Sequence, residues 1–473
     1  MHRSIPWGRA APPLNAGWAV VEDGVKVGEG GPKFIDGSRR WVYPLHIFGQ
    51  FAKLRRWTFF ALQAFFFVTP WLTYKGLPVA ELRLGERRLY ALGHIFTAQD
   101  TIFILLGLLG SAFTLFLMTA LWGRVWCGYA CPQTVFLDGW VANVERWIEG
   151  DRPARRQLDA APWTGAKIAK KGGKWAAFAV MSLVLGMTGV SWFTDTAALW
   201  TGQAGGLAYA FVGVFSLAAF LDFTWFREQF CNFLCPYARF QGALSGANSF
   251  TVTYDVARGE PRKKGKRTPD SGACIDCDKC VAVCPQGIDI RDGFQLECIA
   301  CTKCVDACTS VMTKFNQPSL VRYSTVELDR GGAHRWVRPR VVLYSALIVG
   351  VTSVFGWLMM GRHEIQGTVN RAPGSLFTID EDGWVRNTYL VHVVNNRPGA
   401  EQRFSVAVDG LPQAEIIAPS AQIAAAGAAT MPLVVRVPPG AEIARTTPLS
   451  VVIQGEEERI ELQATFKSDR PGM

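Results

Sequence analysis

Twelve cysteines are the residues of this chain best equipped for chemistry, and they fall into four sets with none left over. Two sets share one spacing: Cys274, Cys277, Cys280 and Cys284, then Cys298, Cys301, Cys304 and Cys308. Each reads C-x2-C-x2-C-x3-C, in which a tight loop wraps three corners of an iron–sulfur cubane and the fourth thiolate reaches the neighbouring cluster. That crossing assigns Cys274, Cys277, Cys280 and Cys308 to a first [4Fe–4S] cluster, and Cys298, Cys301, Cys304 and Cys284 to a second. Pro285 follows the first run as the pattern expects, whereas Thr309 stands where the second run would carry its proline. Two zinc sites of four thiolates each are the other arrangement such a set allows; the duplicated spacing favours clusters.

The other four cysteines form two copies of C-x3-C-P: Cys127 and Cys131 before Pro132, and Cys231 and Cys235 before Pro236. Each copy follows a long apolar run by a few residues. Trp-Gly-Arg-Val-Trp precedes one and Trp-Phe-Arg-Glu-Gln-Phe the other, which reads as an internal duplication. Residues four apart share a helix face, with Cβ atoms about 5–6 Å apart. Each pair therefore reads as two thiols on one helix face, and two pairs at one membrane depth can converge on a single four-thiolate site. Soft thiolates favour Cu(I) among plausible metals. Independent or structural thiols are the plainer alternative.

The elements that must position these cysteines are written in the hydropathy. Nearly half of the chain is hydrophobic (49%), 17 residues are Trp, and only 19% are charged. Five apolar runs, 57–74, 101–122, 175–193, 205–223 and 341–360, approach the ~20 residues that a helix needs to cross a bilayer. The first is short and holds Gln63 and Pro70, but its aromatic content and the basic prefix at Lys53, Arg55 and Arg56 read as a span. No cleaved signal peptide is expected, because a polar, Gly-rich leader precedes that run. The net charge of +10 sits beside the apolar runs, so it points to a membrane surface rather than to nucleic acid. Segments 1–56, 123–174 and 227–340 hold 35 Lys and Arg, whereas 75–100 and 194–204 hold 4. The positive-inside rule then puts the N-terminus and every cysteine in the cytoplasm and the C-terminal part outside. A reducing compartment makes all twelve cysteines ligands or redox thiols rather than disulfides.

The expected organisation is a cytoplasmic leader 1–56, four transmembrane helices with both C-x3-C-P motifs in 57–248, a ferredoxin-like two-cluster α+β domain in 249–334, a fifth transmembrane helix in 335–360, and an exported domain 361–473. That last domain alternates with period two: Phe404, Val406 and Val408; Met431, Leu433, Val435 and Val437; Ile460, Leu462, Ala464 and Phe466. Turn signals at 395–398, 409–412 and 438–440 separate six or seven short strands, the pattern of an immunoglobulin-like β-sandwich. No catalytic constellation stands out in it. The stretch 258–267 reads as a solvated basic linker. Asp100 and Asp222 read as caps or interface residues, and the six scattered histidines, His94 and His363 among them, form no evident ligand set.

The order of parts resembles the FixG/RdxA/CcoG family of accessory proteins for assembly of the cbb-type cytochrome c oxidase. The resemblance rests on Gly-Arg-Val-Trp-Cys-Gly-Tyr-Ala-Cys-Pro-Gln-Thr ending at Thr134, on Arg-Glu-Gln-Phe-Cys from Arg227, on Cys-Pro-Tyr-Ala-Arg-Phe-Gln from Cys235 and on Cys-Pro-Gln-Gly-Ile-Asp-Ile-Arg-Asp-Gly from Cys284. It covers roughly residues 40 to 470. The family implies an oxidoreductase of the bacterial inner membrane that reduces Cu(II) to Cu(I) for the oxidase copper centre. Copper would be handled by Cys127, Cys131, Cys231 and Cys235, with the clusters as reductant, and the oxidase assembly components as partners. A quinol-linked electron conduit to a soluble partner and a non-catalytic assembly scaffold are the alternatives.

Overall fold

The computed structural model describes residues 41–468 except 98–99, 266–268, 294, 330, 363–364, 398–400, 412, 426, 442 and 457, together with 34–35 and 38–39. Most of the expected leader, His363 and the end of the basic linker therefore lie outside the described residues. The chain divides into two compact units, 1–68 with 106–190 and 199–352, and 69–105 with 191–198 and 353–473.

Among the described residues four helices are long and apolar enough to cross a membrane: Thr101–Trp122, Gly165–Ser191, Gly206–Phe226 and Pro339–Met360. Protein covers only 6% of the most apolar window of the first and none of the last. An apolar helix left so bare is at home only where the solvent is lipid, where its backbone groups satisfy one another. The helix over the first expected span, Gln50–Val68, starts upstream of the apolar run and includes Lys53, Arg55 and Arg56, so it does not join that set. Its charges have partners: buried Arg55 donates to Gly128 O at 2.8 Å and pairs with Asp138 at 2.7 Å.

In the first unit, an antiparallel ribbon of Thr251–Tyr254 and Val321–Ser324 frames the two cluster runs. At its near end, Phe250 N donates to Leu121 O at 2.9 Å and Tyr323 Oη to Trp122 O at 2.6 Å, which fastens the ribbon to the end of helix Thr101–Trp122. Tyr254, at its far end, lies beside Cys274. The helix Lys303–Met312, which bears Cys304 and Cys308, also caps Gln50–Val68: Asp306 accepts from Phe51 N and Ala52 N at 3.3 and 2.7 Å. Gly49 lies against that carboxylate, and a Cβ there would collide with it.

The second unit holds 75–100 and the first part of 194–204, the segments poor in Lys and Arg, with the C-terminal part. A three-stranded sheet of Ala80–Arg83, Arg88–Ala91 and His94–Phe96 is tied to 191–198 by Leu82 N donating to Trp192 O at 2.9 Å. Asp100 accepts from Thr97 N at 3.0 Å, pairs with Arg362 at 2.9 Å and accepts from Gln366 at 2.9 Å. The C-terminal domain is a sandwich of a five-stranded and a four-stranded sheet. Three of its long strands fall where the alternation puts them, Gln402–Asp409, Ala428–Val437 and Arg459–Lys467, whereas Val385–Asn395 and Thr446–Gln454 are not singled out by it. Phe404, Met431, Leu433, Val435, Val437 and Phe466 are buried in one core. Two pieces of two or three residues, Thr378–Ile379 and Glu415–Ile417, complete the larger sheet and are too short to show a period.

Candidate metal centres

The two cluster runs fold alike. In each, the second and fourth residues after the first cysteine adopt the left-handed conformation: Asp276 and Asp278 at φ 51° and 54°, Ala300 and Thr302 at φ 51° and 58°. For L-residues that conformation costs roughly 1–2 kcal/mol each. Alternation of left- and right-handed residues turns successive N–H groups into one concavity, the kind of nest that receives anions and iron–sulfur groups. Arg291 fixes the first loop through Asp276, Asp278 and Asp289 at 2.7, 2.7 and 2.6 Å.

The fourth cysteines cross over. Cys280 has Cys308 and Cys277 as electrostatic neighbours, and Cys284 has Cys301 and Cys298. Burial pushes the Cys280 and Cys284 thiols up to about 12. Metal-free, they hold their protons, which a thiophilic group must displace. Among the described residues no three His, Cys, Asp or Glu side chains form a ready cage for a single metal ion, at the cluster runs or at the C-x3-C-P cysteines. Eight cysteines in two duplicated nests suit two multi-iron cubanes, whose irons each take one thiolate.

The C-x3-C-P pairs depart from the one-face expectation. Cys127 lies in a short helix, Val125–Tyr129, which ends before Cys131; Cys131 is the extended N-cap of the next helix, Pro132–Phe136. Cys235 likewise caps Pro236–Leu244, after a π-turn that holds Cys231. Proline is suited to the first position of a helix and pushes the residue before it into extended backbone, so each pair is split by its own motif. The two pairs nonetheless meet. Cys231 has Cys131, Cys127 and Cys235 as electrostatic neighbours, and Cys131 has Cys235. Burial pushes Cys127 and Cys231 up to about 11 and 12.

This quartet abuts the second cluster run. Cys127 packs in one buried cluster with Ile299 and Cys301. Gly128 approaches so closely that a Cβ would stand 2.7 Å from Ile299 O, and Tyr129 Oη shares a 2.6 Å hydrogen bond with Thr302 Oγ1. Lys303, which follows Thr302, pairs with Asp138 at 3.0 Å, the carboxylate that also holds Arg55.

Two glutamines that the cysteine count passes over complete the surroundings. Fully buried Gln241 donates Nε2 to Cys127 Sγ at 3.4 Å. Gln133 donates to both carboxylate oxygens of Asp222 at 2.9 and 2.8 Å, which links the two copies of the motif. Both glutamines sit in the matched stretches, one directly after Pro132 and the other five residues after Pro236, and that adjacency is their only signal in the sequence. His94 is exposed on a strand edge.

Apolar bare helices joined to a doubled thiol nest define a membrane iron–sulfur protein. A family model described as a 4Fe-4S dicluster domain matches residues 226–326, one described as a 4Fe-4S binding domain matches 103–150, and one described as the IG-like fold at the C-terminal of FixG matches 355–469. The nitrogen fixation protein FixG of Rhizobium meliloti is 35% identical over 427 residues, 80% of either chain. Proteins RdxA and RdxB of Cereibacter sphaeroides are each 36% identical, over 78% of this chain and 82% of theirs. The chain belongs to the FixG family.

Proposed function

We propose that this chain reduces Cu(II) to Cu(I) at the cytoplasmic face of a bacterial inner membrane, in support of cbb-type cytochrome c oxidase assembly. One observation carries the reading: the C-x3-C-P thiols neighbour one another beside the second cluster run, with Cys127 packed on Cys301. Cys274, Cys277, Cys280 and Cys308 would hold one [4Fe–4S] cluster, and Cys298, Cys301, Cys304 and Cys284 the other. The bound clusters supply single electrons. Cys127, Cys131, Cys231 and Cys235 receive copper as the substrate; their soft sulfur favours Cu(I) and so draws its reduction forward. Gln241 orients the Cys127 sulfur by its N–H.

The topology that suits this has five spans, the fifth formed by Gln50–Val68 with its basic end at the cytoplasmic surface, N-terminus inside and sandwich outside. Its support is that 75–100 and the first part of 194–204, both poor in Lys and Arg, share a unit with the sandwich. A reporter fused after residue 473 should be active only outside the cytoplasm, and one fused near Gly265 only inside.

A second reading comes from the 4Fe-4S binding model over 103–150, where Cys127 and Cys131 are the cysteines present. On that reading the quartet holds a third cluster. Anaerobic purification with iron, sulfide, copper and zinc quantified together separates the two. About eight iron per chain with copper bound in addition supports copper handling, and about twelve supports the third cluster. In the first case Cys131→Ser should abolish Cu(II) reduction with iron still near eight.

A further inference from the structure

A cavity of about 310 Å³ lies in the unit that carries the cysteines, between the first helix, the stretch after Pro132 and the second cluster run. Cys231 of the quartet lines it, as do Pro285, Gln286 and Ile299 beside the cluster cysteines. Its wall is unevenly charged, with seven Arg and Lys side chains against four carboxylates. Asp138 is taken up by Arg55 and Lys303 at 2.7 and 3.0 Å, and Glu145 by Arg155 and Arg227, both at 2.6 Å. Arg56, Arg146 and Arg152 also line the cavity and, among the described residues, have no carboxylate partner; Arg146 meets only the Asn143 amide oxygen, at 3.3 Å. The third lining carboxylate, Glu228, lies 3.6 Å from Arg227, which leaves Asp151 to answer them. His46, on the same wall, is held below its ordinary range by burial and then by Arg146, Lys303 and Arg56.

Positive walls of low dielectric raise the local concentration of anions and repel cations. A hydrated Cu(II) ion carries two positive charges and meets that barrier before it reaches Cys231. A Cu(II) ion wrapped in carboxylates carries a net negative charge and finds guanidinium groups whose fork matches carboxylate geometry.

We propose that this cavity is the copper entrance to the thiol quartet and that it admits copper as an anionic Cu(II)–carboxylate complex, not as the free cation. The inference rests on the copper-reducing function proposed above. Inside, one electron from the reduced protein converts each Cu(II) to Cu(I). The carboxylate ligands depart with their charge, thiolate sulfur replaces them, and each ligating thiol releases its proton.

The test uses the full chain in neutral detergent, reduced with dithionite and freed of it. It is given copper as the anionic nitrilotriacetate complex or as the cationic diethylenetriamine complex, and Cu(I) is read with a chromophoric chelator. Binding of each complex to the oxidised protein is followed separately by Cu(II) EPR. The anionic complex should bind and be reduced with a second-order single-turnover rate constant at least tenfold higher at low salt, near the lower end of electrostatic steering, ~10–10³, with the gap closing as salt screens it. Arg146→Gln with Arg152→Gln should remove most of that gap, and the Lys versions should restore it. Where that pair loses iron, Arg56→Gln, at an exposed position of the helix, serves instead. Equal or better use of the cationic complex overturns the proposal while copper reduction stands. Loss of the preference on adding anionic but not zwitterionic phospholipid also overturns it, because the cavity then belongs to lipid headgroups. Failure to reduce either complex removes the copper reading itself.

Discussion

The two cysteine constellations are both products of duplication, yet they are built in opposite ways. The cluster runs carry their geometry locally: Asp276, Asp278, Ala300 and Thr302 set each loop, and only the fourth cysteine must come from the other run. The C-x3-C-P quartet has no local geometry of its own. Its cysteines lie on broken helices, and their meeting depends on Gln133, Asp222, Gln241 and the contact of Gly128 with the second cluster run. A locally encoded site should tolerate distant change and fail with its ligands. A site encoded by tertiary contact should fail by degrees.

The largest effect that can break this comparison is loss of metal. Cys280→Ser should remove about half of the ~8 iron, whereas Cys131→Ser should leave iron intact and abolish Cu(II) reduction. Iron lost equally from both variants would make the two constellations one site. Next comes Gly128→Val, which forces a side chain against Ile299 O and Ala300 O. Misplacement by about 1 Å can cost on the order of a hundredfold in rate, so stopped-flow Cu(II) reduction should slow ten- to a hundredfold with iron unchanged. An unchanged rate would mean that the contact does not set the spacing of donor and acceptor.

Smaller again is Gln241→Leu, which removes the N–H aimed at Cys127 Sγ. Groups that orient metal ligands are worth roughly 10–100-fold in affinity, so Cu(I) competition titration should show about a tenfold loss. The smallest effect is on stability. Burial would raise the Glu145 carboxyl, but Arg227, then Arg155 and Lys174, outweigh it and hold the carboxyl down at about 2. Its stabilisation is complete above the ordinary carboxylate range and is lost as pH falls from about 4.5 towards 2. Thermal unfolding in detergent should follow that descent, and Glu145→Gln should flatten it.

The same contrast governs what could be read from the sequence. The 4Fe-4S character was legible because C-x2-C spacing is a local rule, and three of the long sandwich strands because their period survives burial on one face. The one-face reading of C-x3-C-P failed although the reason lay in the motif: Pro132 and Pro236 require Cys131 and Cys235 to precede a helix, not to continue one. The start of helix Gln50–Val68 was missed because Arg55 answers to Gly128 and Asp138, more than 70 residues away, and no hydropathy window reaches so far. The convergence of the quartet was available only as a possibility, since nothing local encodes it.

Asp306 gives the second cluster run a reach beyond redox chemistry. It shares a ten-residue helix with Cys304 and Cys308, and a helix of that length is marginal without partners to hold it. From there its carboxylate closes the open N–H groups of Phe51 and Ala52, a cap worth about 1 kcal/mol. A chain whose Lys303–Met312 helix is unfolded would therefore lose the cap on helix Gln50–Val68 as well. The order of the second cluster run is thereby coupled to the start of a helix some 254 residues away in sequence.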